Sequence, residues 1–237
     1  FYCLVSALTI KANGQDSLWK IQTTDYHGTY YGATVANGGI GILPWKEPFS
    51  IRHVMLNHVF DSATPQDVSR VLRGINPFNL QMQINGQTVN GDNISRWEQC
   101  IDMKEATHNT HFTCDGKADV SYSICALRNL PYAGLVRVEV VALGDMYLTV
   151  SNPIEIPDEY KNIGSKLVNV NVNGNDIKIV RTWALSKYRE QKVSASSAFI
   201  YDKNSSVQQQ YNGSGQISIS LKKGEKFFFT LLGAVCT

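Results

Sequence analysis

The chain has 237 residues, long enough to bury a sizeable core as one domain if the fold is all-β, and a formal net charge of +2 with the signs mixed. No basic block is present, so neither nucleic acid nor an anionic membrane surface is an expected partner. Beyond the N-terminal segment no apolar run approaches the ~18 residues of a spanning helix.

Residues 1–10 are an apolar run, and Ala12 and Gly14 stand at the −3 and −1 positions of a cleavage point before Gln15. This is the h-region and small-residue site of a secretory signal without its basic n-region. Residues 1–14 therefore read as a signal remnant, residues 15–237 as a single β-super-sandwich domain, and the mature protein as secreted or periplasmic. A first β-strand is the other reading of the same run. The C-terminal run 227–237 ends as a strand ends, so both ends read as those of a piece of a longer reading frame. Cys3 lies in the signal segment. Cys100, Cys114, Cys125 and Cys236 show no C-x-x-C pair and sit in apolar or alternating runs, where buried free thiols are expected.

Residues 33–45 come next. An apolar run enters Asn37-Gly38-Gly39-Ile40-Gly41 and a second apolar run leaves it. Three glycines in so short a span mean a tight turn or bulge between strands, or a very close backbone approach. Residues 78–84 alternate without a break, with Phe78, Leu80, Met82 and Ile84 on one face. Asn85-Gly86 is a strong hairpin turn, and 87–89 starts the return. Residues 94–103 and 107–114 form the next pair, and Asp115-Gly116 turns into 120–126. Strands follow over 134–143, 146–150, 167–172, 177–180, 193–201, 217–221 and 226–235. Residues 151–160, with two prolines, read as a surface connection, and 204–215 as a loop tip. About a dozen strands at 8–12-residue spacing, joined by Gly, Asn and Asp turns, favour an antiparallel sandwich. The expected fold is all-β, with two large curved sheets face to face.

The chemistry is sparse. Glu98 and Asp102 share a predicted strand and a face, but four residues of strand separate them by roughly 13 Å. A glycosidase pair needs roughly 5–10 Å between carboxyls, so these two serve only if a bulge shortens the span. Glu105 points to the other face. His53 and His58 fall on opposite faces of a strand, as do His108 and His111, so neither pair chelates a metal locally and no metal is expected. No G-x-S-x-G elbow occurs, and Gly38, Gly39 and Gly41 precede neither a Lys/Ser pair nor a helix; no cofactor is expected. Trp19, Tyr26, Tyr30, Tyr31, Trp45, Trp97 and Trp183 suit a sandwich core or a sugar face. Trp45, between Pro44 and Lys46, is the one expected at the surface.

Taken in order, these features resemble glycoside hydrolase family 65. The N-terminal super-sandwich of that family carries a knot like Ala36-Asn-Gly-Gly-Ile-Gly41, a segment like residues 76–86, a strand core like Cys100-Ile-Asp-Met-Lys104, and strands like 106–113, 120–127 and 134–143. The resemblance runs from about Trp19 to Val150 and is expected to continue to the end of the chain. Residues 23–31 are less acidic and aromatic than the family pattern, and 151–215 carries no motif to anchor. It implies a parent enzyme that hydrolyses or phosphorolyses an α-glucosidic disaccharide or oligosaccharide with inversion, in an (α/α)6 barrel absent from this chain. No catalytic residue carries over, so this chain alone is expected to be inactive. A secreted member is expected to hydrolyse, because phosphorolysis conserves energy only when the sugar phosphate stays in the cell. The domain would support the barrel, shape the rim of its active site, with Asn37, Gly38 and Trp45 as rim candidates, and carry part of a homodimer interface. Three other readings stand beside this one. They are a stand-alone carbohydrate-binding sandwich using Trp45 or Tyr30 and Tyr31, a mutarotase-like epimerase using the histidines with a carboxylate, and a surface adhesion domain.

Overall fold

A computed structural model describes residues 16–29, 32–62, 64, 66, 68–172, 174–202 and 206–237. The segment read as a signal remnant lies outside these, as do Tyr30 and Tyr31. Among the described residues only two short 3-10 turns, Asp16–Trp19 and Gly91–Asn93, are helical. In chain order the first strands are β1 (Lys20–Thr23), β2 (Val35–Ala36), β3 (Ile40–Pro44), β4 (Ile51–Asp61), β5 (Arg70–Arg73), β6 (Gln81–Ile84) and β7 (Gln87–Thr88). Then come β8 (Ile94–Asp102), β9 (Thr107–Cys114), β10 (Ala118–Ala126), β11 (Ala133–Ala142) and β12 (Met146–Asn152). The last six are β13 (Tyr160–Val172), β14 (Asn175–Ser186), β15 (Lys192–Tyr201), β16 (Gln208–Tyr211), β17 (Gly215–Leu221) and β18 (Lys226–Cys236).

One layer is a nine-stranded sheet in the order β1-β8-β9-β10-β11-β18-β15-β14-β13. The facing layer is divided between a five-stranded sheet, β16-β17-β12-β6-β7, and a four-stranded sheet, β2-β3-β4-β5. β10 meets β2 and β3 across the layers, and β15 meets β17. The fold is thus the expected all-β antiparallel sandwich, with its second layer in two pieces.

Alternation drives this arrangement. Val120, Tyr122 and Ile124 of β10, Val136, Val138 and Val140 of β11, and Phe227, Phe229 and Leu231 of β18 all turn to the buried side. Ile40, Ile42 and Leu56 meet them from the four-stranded sheet, and Met82, Leu148 and Ile217 from the five-stranded one. Each such side chain contributes roughly 1.5–3 kcal/mol by leaving water. Phe78, fully buried, lies against two glycines of the large sheet: a Cβ at Gly233 would come within 2.5 Å of its ring, and one at Gly134 within 3.2 Å. The turns are those the residues demand. Asn85 (φ 52°) with Gly86 (φ 81°), and Asp115 (φ 45°) with Gly116 (φ 65°), take the left-handed pairs of hairpin turns.

Where local pattern and structure differ, long-range hydrogen bonds decide. Residues 78–84 alternate in burial as expected, but strand pairing starts only at Gln81. Before it, asparagine side chains take the place of a neighbouring strand. Asn76 donates to Ile51 O (2.9 Å) and accepts from Phe78 N (3.0 Å), and Asn79 accepts from Ile51 N (2.8 Å). Residues 151–160 are not wholly a surface connection. Asn152 is buried, donating to Pro77 O (3.0 Å) and Asn79 O (2.7 Å) and accepting from Ser197 Oγ (2.5 Å). Glu155 bridges to Asn76 through the backbone. The expected loop over 204–215 contains β16, paired with β17.

Candidate functional site

The glycine knot is the turn of the β2–β3 hairpin. Asn37 Oδ1 accepts from Gly39 N (2.9 Å) and Ile40 N (3.0 Å), while its Nδ2 donates to Leu127 O (2.7 Å) in the β10–β11 connection. Gly38, exposed at φ 93°, occupies backbone space that disfavours any Cβ, and its carbonyl accepts from Asn57 Nδ2 (2.7 Å). A Cβ at Gly39 would overlap the Pro131 carbonyl. The knot therefore fastens the four-stranded sheet to the 127–131 connection of the large sheet. Trp45 lies past the other end of β3, whose five residues span roughly 17 Å, so the three rim candidates do not converge on one spot. Trp45 is half-buried: Arg52 stacks 4.3 Å over its ring, and its carbonyl accepts from Gln99 Nε2 (2.9 Å).

His108 and His111 divide as their spacing predicts; His53 and His58 do not, because the irregularity in β4 between Met55 and Phe60, with His58 at φ 64°, breaks the alternation and leaves both outside the core. His108 is buried on the inner face of β9, where burial pushes its pKa down to about 4. His111, on the outer face, lies 3.1 Å from Asp119. Burial raises the Asp119 carboxyl, but hydrogen bonds from His111 and Thr113 outweigh it and leave it below its ordinary value. In β4, burial with Arg73 and Arg52 nearby lowers His53. Asp102 caps the turn after β8, accepting from Glu105 N (3.0 Å) and Lys104 N (3.1 Å). Those bonds, with Lys20 at 3.6 Å, hold its carboxyl low. The irregularity in β8 falls between Ser95 and Glu98, before the Glu98–Asp102 span, and does not shorten it. Among the described residues no three His, Cys, Asp or Glu side chains gather at metal-binding distance. Cys114 is buried and Cys100 half-buried, and burial raises both thiols; Cys236, expected inside, is exposed.

What the large sheet does gather is a trough of about 270 Å³ on its outer face. The registers place Glu98, His111, Ser121, Glu139 and Phe228 side by side across β8, β9, β10, β11 and β18. The next row is Cys100, Asn109, Ser123, Arg137 and Thr230. Short serines in the middle strand leave the hollow, and longer side chains bank it. Glu139 is paired with Lys226 (3.0 Å), whereas Glu98 and Arg137 make no side-chain hydrogen bond or ion pair among the described residues. Glu98 and Glu139 stand three strands apart, roughly 14 Å between backbones, beyond the reach of a glycosidase pair. The trough can hold a small polar ligand against the half-exposed Phe228 ring; it is not arranged for paired-carboxylate cleavage. Local pattern shows each of these residues facing outward, but only the five-strand register brings them together.

Fold and knot define the class: an all-β super-sandwich resembling the N-terminal domain of glycoside hydrolase family 65. No family model matches the chain. It is 28% identical over 226 residues to a kojibiose hydrolase of Flavobacterium johnsoniae, covering 92% of this chain and 33% of that protein. It is 29% identical over 204 residues to a kojibiose hydrolase of Mucilaginibacter mallensis, covering 86% and 30%. The chain thus spans about a third of the length of these curated relatives. A solved structure of a candidate kojibiose phosphorylase from human microbiome shares the fold, with TM-score 0.70 over 94% of this chain and 33% of that one, at 8% identity. The resemblance found in the sequence holds.

Proposed function

We propose that this chain is the non-catalytic N-terminal super-sandwich of a secreted family 65-type glycoside hydrolase that cleaves an α-glucosidic disaccharide of the kojibiose kind by hydrolysis. The observation that carries the proposal is the alignment of 92% of this chain with one third of a kojibiose hydrolase. The wide spacing of the carboxylates supports placing the chemistry elsewhere in the parent protein. Here the sandwich supports the catalytic barrel, and the knot and the Trp45 loop contribute to the rim. Glucose release from kojibiose, by the parent protein and by this chain alone, tests it. The expected result is phosphate-independent release by the parent and none by the chain. Strict phosphate dependence overturns the hydrolytic assignment, and release by the chain alone overturns the supporting role. For the rim, Trp45→Ala in the parent is expected to raise KM with kcat little changed.

One observation favours a second reading. Glu98 stands directly opposite His111 across β8 and β9 in the trough, and a carboxylate beside an imidazole can act as a base and acid on a sugar hydroxyl. Polarimetry of α-glucose with this chain decides it: anomer interconversion no faster than in buffer ends the mutarotase-like reading.

A further inference from the structure

Toward the β13 edge of the large sheet, β13, β14 and β15 form an open pocket of about 230 Å³ lined by Lys166, Arg181, Trp183, Lys192 and Ser194. Lys166 stands directly opposite Arg181, and Ser194 directly opposite Trp183. Lys192 is diagonal to Trp183, across from Leu185. A register shift between Lys161 and Gly164 brings Gly164 under the indole, so close that a Cβ there would overlap the ring. The indole is thereby held against backbone as a floor, and three cations stand around it.

Among the described residues no carboxylate lines this pocket, and none of Lys166, Arg181 and Lys192 makes a side-chain hydrogen bond or ion pair. Lys161, across from Leu185 in the same region, is by contrast neutralised by Glu190 at 2.8 Å. Like charges directly opposite on one sheet face are unfavourable, and an oxyanion between them offsets the repulsion through charge-assisted hydrogen bonds. An aromatic ring beside such a group suits a ligand with one flat, partly apolar side.

We propose that this pocket binds an anionic saccharide: a pyranose ring lies on Trp183, and its phosphate or carboxylate is held by Lys166, Arg181 and Lys192. The site is separate from the trough and independent of the function assigned to the parent protein.

Isothermal titration of this 237-residue chain with glucose 6-phosphate, glucuronate, glucose and inorganic phosphate tests the proposal. Saturable binding of at least one sugar anion is expected, weakened about tenfold or more by Arg181→Met or Lys192→Met and weakened again as salt is raised. Which of the two anions binds tells phosphate from carboxylate. Arg137→Met, in the trough, is expected to leave the affinity unchanged. Both lysine and arginine positions are exposed, so an unchanged melting temperature shows that the variants fold. No saturable binding of either sugar anion overturns the proposal, and so does binding indifferent to both substitutions. Inorganic phosphate or glucose binding as tightly as the sugar anions removes the ring-on-indole arrangement and overturns it equally.

Discussion

The two sides of the nine-stranded sheet carry the same kinds of residue to opposite ends. On β9, His108 faces inward and is held neutral by burial, while His111, three residues on, faces outward to Asp119. On the inner side polar groups serve the fold: Tyr122 accepts from Phe49 N, Gln99 donates to Trp45 O and Ser197 donates to Asn152, each tying the large sheet to the facing layer. On the outer side Glu98, Arg137, Lys166, Arg181 and Lys192 have no such partners among the described residues. Residue type therefore does not mark a site in this molecule. Whether a polar group's bonding capacity is already used by the fold does.

The buried side is most sensitive at Phe78. It is fully buried between the layers and fitted against Gly134 and Gly233. Phe78→Ala removes its apolar surface and leaves a hollow that two sheets cannot close, so a loss of about 4 kcal/mol is expected. Urea denaturation measures it; a loss under about 1 kcal/mol would mean that the layers are not joined there.

His108 gives the next largest effect. Its folded pKa is about 4 against 6.5 for the free side chain, so the unfolded chain takes up a proton first as pH falls. The associated stability is fully present above about pH 6.5 and is lost progressively down to about pH 4, by about 3 kcal/mol in all. His53, lowered by burial and by Arg73 and Arg52, adds a loss of the same sign. Urea midpoints at several pH values for the wild type and His108→Gln isolate the first effect. The variant is expected to show the flatter profile, and parallel profiles would assign the loss to other groups.

Much of this was legible locally. The alternation in 94–103, 107–114 and 120–126 and the Asn85-Gly86 and Asp115-Gly116 turns gave strands and faces close to those of β8, β9 and β10. The opposite faces of His108 and His111 followed from an odd spacing alone. The division of the second layer was not legible, because it depends on Asn76 and Asn152, whose partners lie far away in the chain. Asn152 also directly precedes Pro153, with Pro157 four residues further on, and two such prolines read locally as a surface connection. The trough and the basic pocket were hidden for a related reason. Each takes single outward residues from several strands, and nothing short of the full register puts Phe228 beside Glu139 or Lys166 beside Arg181.

At the knot a polar side chain is committed to the fold. Asn37→Ala removes two bonds accepted from the turn and two donated, to Leu127 O and, at 3.4 Å, to Leu130 O. Because Asn37 is half-buried, water replaces part of what is lost, and about 1–2 kcal/mol is expected. Thermal melting measures it, and an unchanged melting temperature would free Asn37 from its fastening role.

The smallest effect is expected at the centre of the trough. Ser123 lies between Asn109 and Arg137 on the outer face, and its hydroxyl makes no hydrogen bond among the described residues. Nothing in the fold depends on it. Ser123→Val adds a β-branched side chain at an exposed-face strand position, where such residues are well tolerated, so stability should move by no more than about 0.5 kcal/mol. The same substitution fills part of the hollow. If the outer face is reserved for ligands and the inner face for folding, this variant melts like the wild type and changes only what the trough can hold. A loss of about 2 kcal/mol, measured by urea denaturation, would show that the outer face is packed against something the fold needs, and the contrast between the two faces would fail at its middle.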